Sequence, residues 1–485
     1  MFNSKRLFYF FLLSFGIVVA GCKNKDVEPE AEVTATDSTG IAKYQDVNNW
    51  LFEIMNDAYF WYKDMPAQSS LDNAAEPTDF FEKLIYKRQT VDRFSMVTND
   101  IDALQNEFNG VSKVFGMSYT LSYTDAGESN IAAFLNYVVK GSPAESAGLK
   151  RGDIIVKING TQLTSSNYTT LLNAGETATF TLGILSGSAI TASATTVSVS
   201  KAEVSEDPVA FSTVVSKPQQ GKTIGYLVYT QFVPGTAASE NKYDNELRQI
   251  FADFKSKGVN ELVLDLRFNS GGYISSAKTL ASLIGKGVSD AKIFYKEQWN
   301  DKYTAYWEKQ KGTDAFKYPF LNEANNIGSN LSRVFVLTSN GTASASELVI
   351  NGLKPYMDVV TIGEHTAGKN LFGSLISDDQ NRWKWGAYVM LGQTANANDE
   401  SDYGTVNGMT PNYAVEDNVI PYQPFADENE TLFRKALDVM GIPASTRQRV
   451  VAAREVGTFR KQLRDNLQVR PGLMIKTGAI KTLNP

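Results

Sequence analysis

The sequence is poor in the side chains that most hydrolases and metalloproteins use for chemistry. Its 485 residues include one cysteine and one histidine. A disulfide framework and a zinc site built from several cysteines and histidines are therefore excluded. The net charge of -6 also argues against a general affinity for nucleic acid. We accordingly expect no metal, no other cofactor and no nucleic-acid partner.

The rest of the composition is that of globular protein. Hydrophobic residues make up 42% of the chain and charged residues 21%, which is the usual balance for a folded core. A chain of this length is expected to form two or three domains. Nothing in the pattern specifies an oligomeric state.

The N-terminus has the features of an export signal. A basic segment, MFNSKR, precedes the apolar run LFYFFLLSFGIVVA, which is short for a membrane span. The run ends at Val19-Ala20-Gly21-Cys22, which resembles the bacterial lipobox, where cleavage precedes a lipidated cysteine. We predict a lipoprotein signal peptide over 1–21 and lipidation of Cys22, the alternative being a chance cysteine after a membrane anchor.

Residues 22–43 are predicted to be a flexible tether, because they lack aromatic residues and are rich in polar ones. The acidic residues soon after Cys22 resemble export signals of surface lipoproteins in Bacteroidota-type bacteria. We therefore expect a lipid-anchored protein of the cell envelope. The periplasmic and the surface face of the outer membrane both stay open.

Residues 44–105 are predicted to form an N-terminal helical domain. Trp50, Ile54, Ala58 and Trp61 recur at helical spacing, and Pro66 ends the pattern. A second helix is expected over Phe80–Tyr86. Aromatic residues at this spacing are typical of core packing rather than of a ligand site.

Residues 106–202 change to short alternating strands and are predicted to form a β-rich PDZ domain. The segment NYVVKGSPAESAGLKRGDIIVKINGTQL, residues 136–163, resembles that family closely. Its Asn159-Gly160 pair predicts a tight turn with positive φ. Upstream, Phe115, Gly116 and Met117 resemble the loop with which PDZ domains receive a peptide C-terminus while the peptide adds a strand to the sheet.

Residues 203–440 alternate strands and helices, which predicts a layered α/β core with its site at the strand ends. Strands are expected in KTIGYLVYTQF, NELVLDLRF, AKIFYKEQW, RVFVLTS and VVTIGE. Helices are expected near 243–256, 274–285 and 344–354. Residues 441–485 are interpreted as a peripheral extension, and the basic stretch RQRVVAAREVGTFRKQLRDNLQVR within it as a solvated helix.

Ser344 stands between a predicted strand and a predicted helix, a position that suits either a helix cap or a nucleophile. The pattern Ser344-x-x-Glu347 is that of a capping box, in which a serine contributes about 1 kcal/mol. A nucleophilic serine needs a base and an oxyanion site as well. The candidates for the base are His365 and Lys369.

A lysine acts as a base only if its pKa is brought from about 10.4 towards 7, which burial does because it disfavours the ammonium. The ordinary alternative for Lys369 is a solvated lysine in a turn. Gly271 and Gly272 end a strand, where bare N–H groups make an anion site. Their ordinary alternative is a glycine turn.

Several motifs, taken together, resemble the C-terminal processing (tail-specific) proteases, a family that joins a PDZ domain to an α/β serine protease core. They are TASASE at 342–347, the pair Gly368-Lys369, whose lysine stands 25 residues after Ser344, DLR-x-N-x-GG at 265–272 and GTVNGMTPNYAV at 404–415. The resemblance implies a Ser–Lys dyad of Ser344 and Lys369. It implies an oxyanion hole from the N–H of Ala345 and of Gly271 or Gly272.

The resemblance also implies polypeptide substrates, recognised at their C-terminal tails through the PDZ domain. The chain also departs from the family, because many members have a polar residue, often glutamine, four residues after the lysine and this chain has Gly373. The third member of the site is therefore open, with Ser374 and Asn370 as guesses. The alternatives for the whole protein are a non-catalytic envelope protein that binds peptides or apolar ligands, and a hydrolase that uses His365.

Overall fold

The computed structural model describes residues 40–444 except 126, 174, 187 and 188, together with 462–465 and 473–476. The predicted signal peptide, Cys22 and most of the tether lie outside these residues, as does most of the basic C-terminal stretch. Within the part of the chain that is described, no helix is long and apolar enough to cross a membrane.

The N-terminal segment is mostly helical, as predicted, but it also contributes a strand to the core. Its elements are α1 (Gly40–Ala58), α2 (Pro77–Leu84), β1 (Met96–Thr98) and α3 (Ile101–Phe108), with 3-10 turns at Tyr62–Asp64 and Gln68–Ser70. The sequence prediction missed β1, because three residues are too few to show an alternating pattern. The segment also shares one hydrophobic cluster with the core, through residues such as Leu51 and Phe81.

The next segment is a PDZ domain built from strands and two short helices. Its elements are β2 (Val111–Val114), β3 (Met117–Tyr123), β4 (Ile131–Val138), α4 (Pro143–Ser146), β5 (Ile154–Ile158), β6 (Thr161–Gln162), α5 (Tyr168–Asn173), β7 (Thr177–Ser186), β8 (Ala189–Ser200) and β9 (Ala202–Ser205). Asn159 and Gly160 both have positive φ, 51° and 77°, so the predicted tight turn joins β5 to β6.

The core alternates strands and helices in the predicted order. Its elements are β10 (Val209–Lys217), β11 (Lys222–Tyr229), α6 (Lys242–Ser256), β12 (Glu261–Asp265), β13 (Gly271–Tyr273), α7 (Ile274–Ile284), β14 (Ile293–Trp299), α8 (Asp301–Lys311), β15 (Lys317–Pro319), β16 (Arg333–Thr338), α9 (Ala345–Leu353), β17 (Asp358–Gly363), β18 (Leu371–Ser377), β19 (Gly386–Ala395), β20 (Tyr413–Ala414) and α10 (Thr431–Val439). Two further 3-10 turns lie at Pro218–Gln220 and Gly328–Asn330. All five strands and three helices named in advance are present.

Two sheets form the core. One has the order β10-β11-β12-β16-β17-β20, and β11, β12, β16 and β17 are parallel. Its strands are apolar on both faces: Leu264 packs in the cluster with α7 and α9, whereas Val263 packs in the cluster with α10. That two-sided burial explains the continuous apolar runs in the sequence.

The C-terminal segment contributes two more strands, β21 (Gln462–Asp465) and β22 (Leu473–Ile475). β22 lies inside the second core sheet, whose order is β13-β22-β18-β19-β14-β15, with β1 beside β19. β21 pairs with β3 of the PDZ domain. The interpretation of residues 441–485 as peripheral is therefore wrong for β22, and the solvated helix is wrong for residues 462–465. Local periodicity did not reveal either strand because each is defined by its partners.

A buried cluster of charges joins the PDZ domain to the core. Arg267, which follows β12, contacts carboxylate oxygens of Asp265 at 2.8 Å, Asp417 at 2.7 Å and Glu430 at 2.6 Å. Arg151 of the PDZ domain contacts the same oxygen of Glu430 at 3.3 Å. One carboxylate is thus shared by an arginine of each domain.

Candidate active site

Ser344 lies at the junction of β16 and α9, in a strained backbone conformation. Its φ of 64° and ψ of -112° are unusual for a residue with a side chain. The segment after β12 holds the turn in place, because Ala343 N–H donates to the carbonyl oxygen of Asn269 at 3.2 Å. The hydroxyl of Thr342 donates to the carbonyl of Leu266 at 2.9 Å. These contacts fix the serine over the end of β12.

The capping-box pattern is present at Ser344, but only one half of it is a hydrogen bond. Ser344 N–H donates to Oε2 of Glu347 at 2.7 Å. The buried Ser344 Oγ has no hydrogen-bond partner among the described residues, although its position relative to the Glu347 N–H suits a cap. A serine whose role was only to cap the helix would use this oxygen, so capping alone does not explain the residue.

Glu347 ties the serine turn to the lysine loop. Its carboxylate accepts hydrogen bonds from Gly368 N–H and Lys369 N–H, both at 2.8 Å, and from the hydroxyl of Thr366. Lys369 N–H donates to the same Oε2 that accepts from Ser344 N–H. The backbone nitrogens of Ser344 and Lys369 are therefore hydrogen-bonded to the same oxygen atom, which holds the two loops close together.

Lys369 is completely buried, with an exposed fraction of 0%. Its Nζ lies 3.2 Å from the Tyr388 hydroxyl and 4.7 Å from the ring centre of Phe94. Burial lowers the pKa of Lys369 to about 7, and the nearby carboxylates of Asp92 and Glu347 offset only part of that effect. The interpretation of this residue as a solvated turn lysine is wrong.

The wall of the lysine pocket comes from the N-terminal segment, which sequence reasoning did not connect with the site. Asp92 is buried and accepts hydrogen bonds from the hydroxyl of Tyr59 at 2.7 Å and from Ser95 N–H at 2.9 Å. Arg93 donates to the carbonyl oxygens of Ala367 and Gly368, at 2.9 and 2.8 Å. The segment therefore fixes both the electrostatic environment and the loop of the lysine.

Gly373, where many family members have a larger polar residue, leaves room beside Lys369 for the side chain of Tyr388. A Cβ on Gly373 would lie 2.9 Å from the Tyr388 ring and 2.6 Å from the carbonyl oxygen of Val389. Tyr388 lies on β19, so no spacing rule around the lysine could have found it. Burial raises the pKa of its phenol, so it stays neutral.

The two residues guessed as third members make other contacts. The Asn370 side chain donates to the carbonyl oxygen of Ser401 at 3.1 Å and to its hydroxyl at 2.9 Å. The Ser374 hydroxyl donates to the carbonyl of Leu375 at 3.4 Å. The Lys369 amine instead donates to the hydroxyl of Tyr388 at 3.2 Å.

The two glycines of the predicted oxyanion site have φ values of 112° and 138°, which favour glycine. A Cβ on Gly272 would also lie 2.2 Å from the carbonyl oxygen of Phe232. Gly271 N–H donates to Oδ1 of Asn269 at 2.8 Å, which leaves Gly272 as the better candidate. Ala345 is the first residue of α9, so its N–H has no acceptor within the helix.

His365 does not belong to this group of residues. It is exposed, and its Nδ1 lies 3.1 Å from the carbonyl oxygen of Asn407. Ser344, by contrast, is 0% exposed. The geometry therefore favours Lys369 over His365 as the partner of the serine.

The predicted peptide-binding loop lines a cavity of about 290 Å³ in the PDZ domain. Phe115, Gly116 and Met117 form one side, and Lys201 contributes positive charge, whereas Lys113 is paired with Glu176 at 2.5 Å. Gly116 has a φ of 88°, and a Cβ there would lie 2.1 Å from that of Ser142. The loop is thus held against the N-terminus of α4.

Comparison with known proteins identifies the family. The description Peptidase family S41 matches residues 223–415, Peptidase S41 N-terminal domain matches 46–96, and PDZ domain matches 134–176. The crystal structure of an S41 protease from Bacteroides fragilis superposes with a TM-score of 0.70 at 30% identity, covering 81% of this chain and 98% of that one. The chain belongs to peptidase family S41. The predicted family and fold class are confirmed.

Curated relatives of this S41 chain are more distant. A CtpA-like serine protease of Staphylococcus aureus is 23% identical over 363 residues, which cover 72% of this chain and 62% of that protein. The chloroplastic C-terminal processing peptidase of Tetradesmus obliquus is 28% identical over 273 residues, covering 54% of this chain and 53% of that protein. The chain thus spans less than two thirds of the length of either relative.

The family match also assigns the residues that wall the lysine pocket to a recognised domain. The S41 N-terminal domain ends at residue 96, directly after Asp92, Arg93 and Phe94. In this S41 chain that domain therefore reaches the candidate site.

Proposed function

We propose that this protein is a serine endopeptidase that cleaves polypeptides with a dyad of Ser344 and Lys369. The observation that carries the proposal is the buried Lys369, whose pKa is lowered to about 7 and whose loop shares the Glu347 carboxylate with the serine turn. An amine with that pKa is largely neutral at slightly alkaline pH, which is the state a general base needs.

In the proposed reaction, Ser344 Oγ turns towards Lys369 Nζ, because the hydroxyl has no hydrogen-bond partner among the described residues in this structure. The neutral amine takes the hydroxyl proton as the oxygen attacks the peptide carbonyl. The ammonium then returns the proton to the leaving amine, and water hydrolyses the acyl-enzyme. Tyr388 and Asp92 act as positioning residues for the lysine.

The oxyanion is held by backbone N–H groups in this proposal. Ala345 N–H, at the start of α9, and Gly272 N–H are the donors, and each such donor is worth about 3 kcal/mol when it is removed. Hydrogen bonds between Asn269 and the serine turn support the arrangement. The carbonyl oxygen of Asn269 accepts from both Ala343 N–H and the Ser346 hydroxyl.

We also propose that the PDZ domain selects substrates by their C-terminal tails. The cavity beside Gly116 has a volume of about 290 Å³ and the positive charge of Lys201 to receive a terminal carboxylate. The adjacent β3 can pair with the preceding residues of the tail as an added strand.

The test is hydrolysis of β-casein by residues 41–485. We expect Ser344→Ala and Lys369→Ala each to abolish cleavage, whereas Ser282→Ala, a buried serine of α7 that is remote from the dyad, keeps it. We expect the rate to rise with pH through about 7, as Lys369 loses its proton. A flat profile from pH 6 to 9 would count against a titrating lysine.

Two other outcomes would favour the alternatives. No cleavage under any condition would favour a non-catalytic protein that binds peptides or apolar ligands. Loss of cleavage in His365→Ala, with activity kept in Lys369→Ala, would assign the base to the histidine.

Lipid attachment is a separate proposal. We propose that Cys22 is acylated and holds the protein at the cell envelope, on the evidence of the segment that precedes it. Metabolic labelling with a fatty-acid analogue should mark the wild type and not Cys22→Ser. Equal labelling of both would refute it.

A further inference from the structure

The C-terminal strand β22 lies within the candidate active site. It runs parallel to β13, with Leu473 opposite Gly271 and Met474 opposite Gly272. On its other side, Ile475 pairs with Gly373 of β18, the strand that follows Lys369. Residues 473–475 therefore fill the gap between the oxyanion glycines and the lysine strand.

β22 lies on the side of β13 to which the proposed oxyanion donor points. Phe232 N–H donates to the carbonyl oxygen of Gly271 at 2.9 Å, and Tyr273 N–H donates to that of Phe232 at 2.7 Å. Backbone groups of successive residues in a strand point to opposite sides. The N–H of Gly272 therefore points away from Phe232, towards β22, where a substrate carbonyl would have to come.

The same strand engages the positioning tyrosine. The Tyr388 hydroxyl donates to the carbonyl oxygen of Met474 at 3.0 Å and accepts from its N–H at 3.2 Å. Met474 is 0% exposed. Lys476 fastens the end of the strand, because its Nζ donates to Glu297 and, at 2.8 Å, to Tyr318.

A second part of the same segment occupies the edge of the PDZ sheet. β21 pairs antiparallel with β3, with Gln462 opposite Ser122 and Asp465 opposite Thr120. The chain therefore runs towards Met117 and the peptide-binding loop. A peptide that adds a strand to this edge with its C-terminus at the loop has the same direction.

We propose that the C-terminal segment is an intramolecular ligand, which occupies the PDZ edge through residues 462–465 and the cleft beside Gly272 through residues 473–476, and which a polypeptide substrate displaces. This inference rests on the proposed function for the identity of the competing ligand. It identifies the gap between β13 and β18 as a binding site for an extended strand that runs parallel to both. The PDZ edge and the cleft are then both filled by the protein's own C-terminal segment until a substrate binds.

The first experiment measures displacement without catalysis. Hydrogen exchange of full-length Ser344→Ala is followed by mass spectrometry, with and without a hundredfold excess of β-casein. We expect exchange in 462–465 and 473–476 to accelerate at least tenfold when β-casein is present. Unchanged protection would overturn the proposal, because a permanent strand does not leave its sheet when substrate is added.

The second experiment weakens the attachment of the segment. We expect a fluorescent peptide of residues 462–476 to bind full-length Ser344→Ala/Lys476→Gln at least tenfold more tightly than it binds Ser344→Ala. Lys296→Gln in the same background is the matched control, because it removes a lysine of β14 from a partly exposed ion pair with Asp399. It should bind the peptide as the parent does.

Met474→Asp is the independent variant, which places a charge in the buried end of the strand. Tight peptide binding by this variant supports a displaceable ligand. Equal binding by all variants overturns the proposal, and so does a Met474→Asp protein that no longer folds, since a ligand is not required for folding. Because these readouts are binding and exchange, a failure of hydrolysis alone would reject the proposed function and not this inference.

Discussion

Replacing Lys369 by methionine should abolish hydrolysis and yet stabilise the protein at neutral pH. In the unfolded chain the lysine has its ordinary pKa of 10.5, whereas burial lowers it to about 7 in the folded protein. Between these two values the unfolded chain binds one more proton than the folded one, so folding must remove a proton. Methionine has a similar length, is apolar and carries no such cost.

The magnitude follows from the two pKa values. A difference of about 3.5 units corresponds to about 5 kcal/mol, at about 1.4 kcal/mol per unit. This cost is complete below pH 7, falls to about 3 kcal/mol at pH 8 and vanishes above pH 10.5. Removing the hydrogen bond between Lys369 Nζ and Tyr388 offsets about 1 kcal/mol. We therefore expect a net gain of about 4 kcal/mol at pH 6 and of about 2 kcal/mol at pH 8.

The assay is urea unfolding of the wild type and of Lys369→Met at pH 6, 8 and 10. The stabilisation by methionine should decrease steadily as the pH rises. The matched control is Lys296→Met, at a partly exposed lysine of β14, which should not reproduce this trend. A methionine variant that is less stable at pH 6, with a difference that does not depend on pH, would refute a buried amine of lowered pKa.

Three further predictions concern the neighbours of the dyad. Tyr388→Phe removes one hydrogen bond to the lysine and should lower kcat about tenfold with little change in KM; an unchanged kcat would exclude a positioning role. Glu347→Gln sets an amide against backbone donors and should lower the free energy of unfolding by about 2–4 kcal/mol in a urea titration, whereas Glu364→Gln, at a half-buried carboxylate, should cost less than 1 kcal/mol. Gly272→Ala should lose β-casein hydrolysis because its Cβ meets a carbonyl, and Gly258→Ala, where the space is open, should keep it; hydrolysis by both would count against Gly272 as a donor.

The parts of the fold that could be predicted are those whose signal is local. The strands around Leu264 and Val336 are continuous apolar runs because both of their faces are buried, and such runs are visible in the sequence. The turn at Asn159-Gly160 was predictable because positive φ restricts the residue type. The position of Ser344 at the start of α9 was also predictable from local signals, because a strand, a turn and a helix follow one another there.

The parts that could not be predicted depend on partners that are distant in the chain. Tyr388 reaches the lysine from a neighbouring strand, and Asp92 comes from another domain, so neither has a fixed spacing to Lys369. The same limit applies to β22, which is a strand only because Gly272 and Gly373 provide edges on both sides. Glu347 was seen only as half of a capping box, although it also binds the lysine loop.

The shared carboxylate of Glu430 has a mechanical consequence. A rotation of the PDZ domain that carries Arg151 away withdraws one positive charge from an oxygen that Arg267 also contacts. Arg267 lies five residues before Gly272, so a change in its ion pairs alters the electrostatic potential at the loop that carries the two glycines. Domain orientation and the shape of the anion site are therefore not independent variables in this molecule.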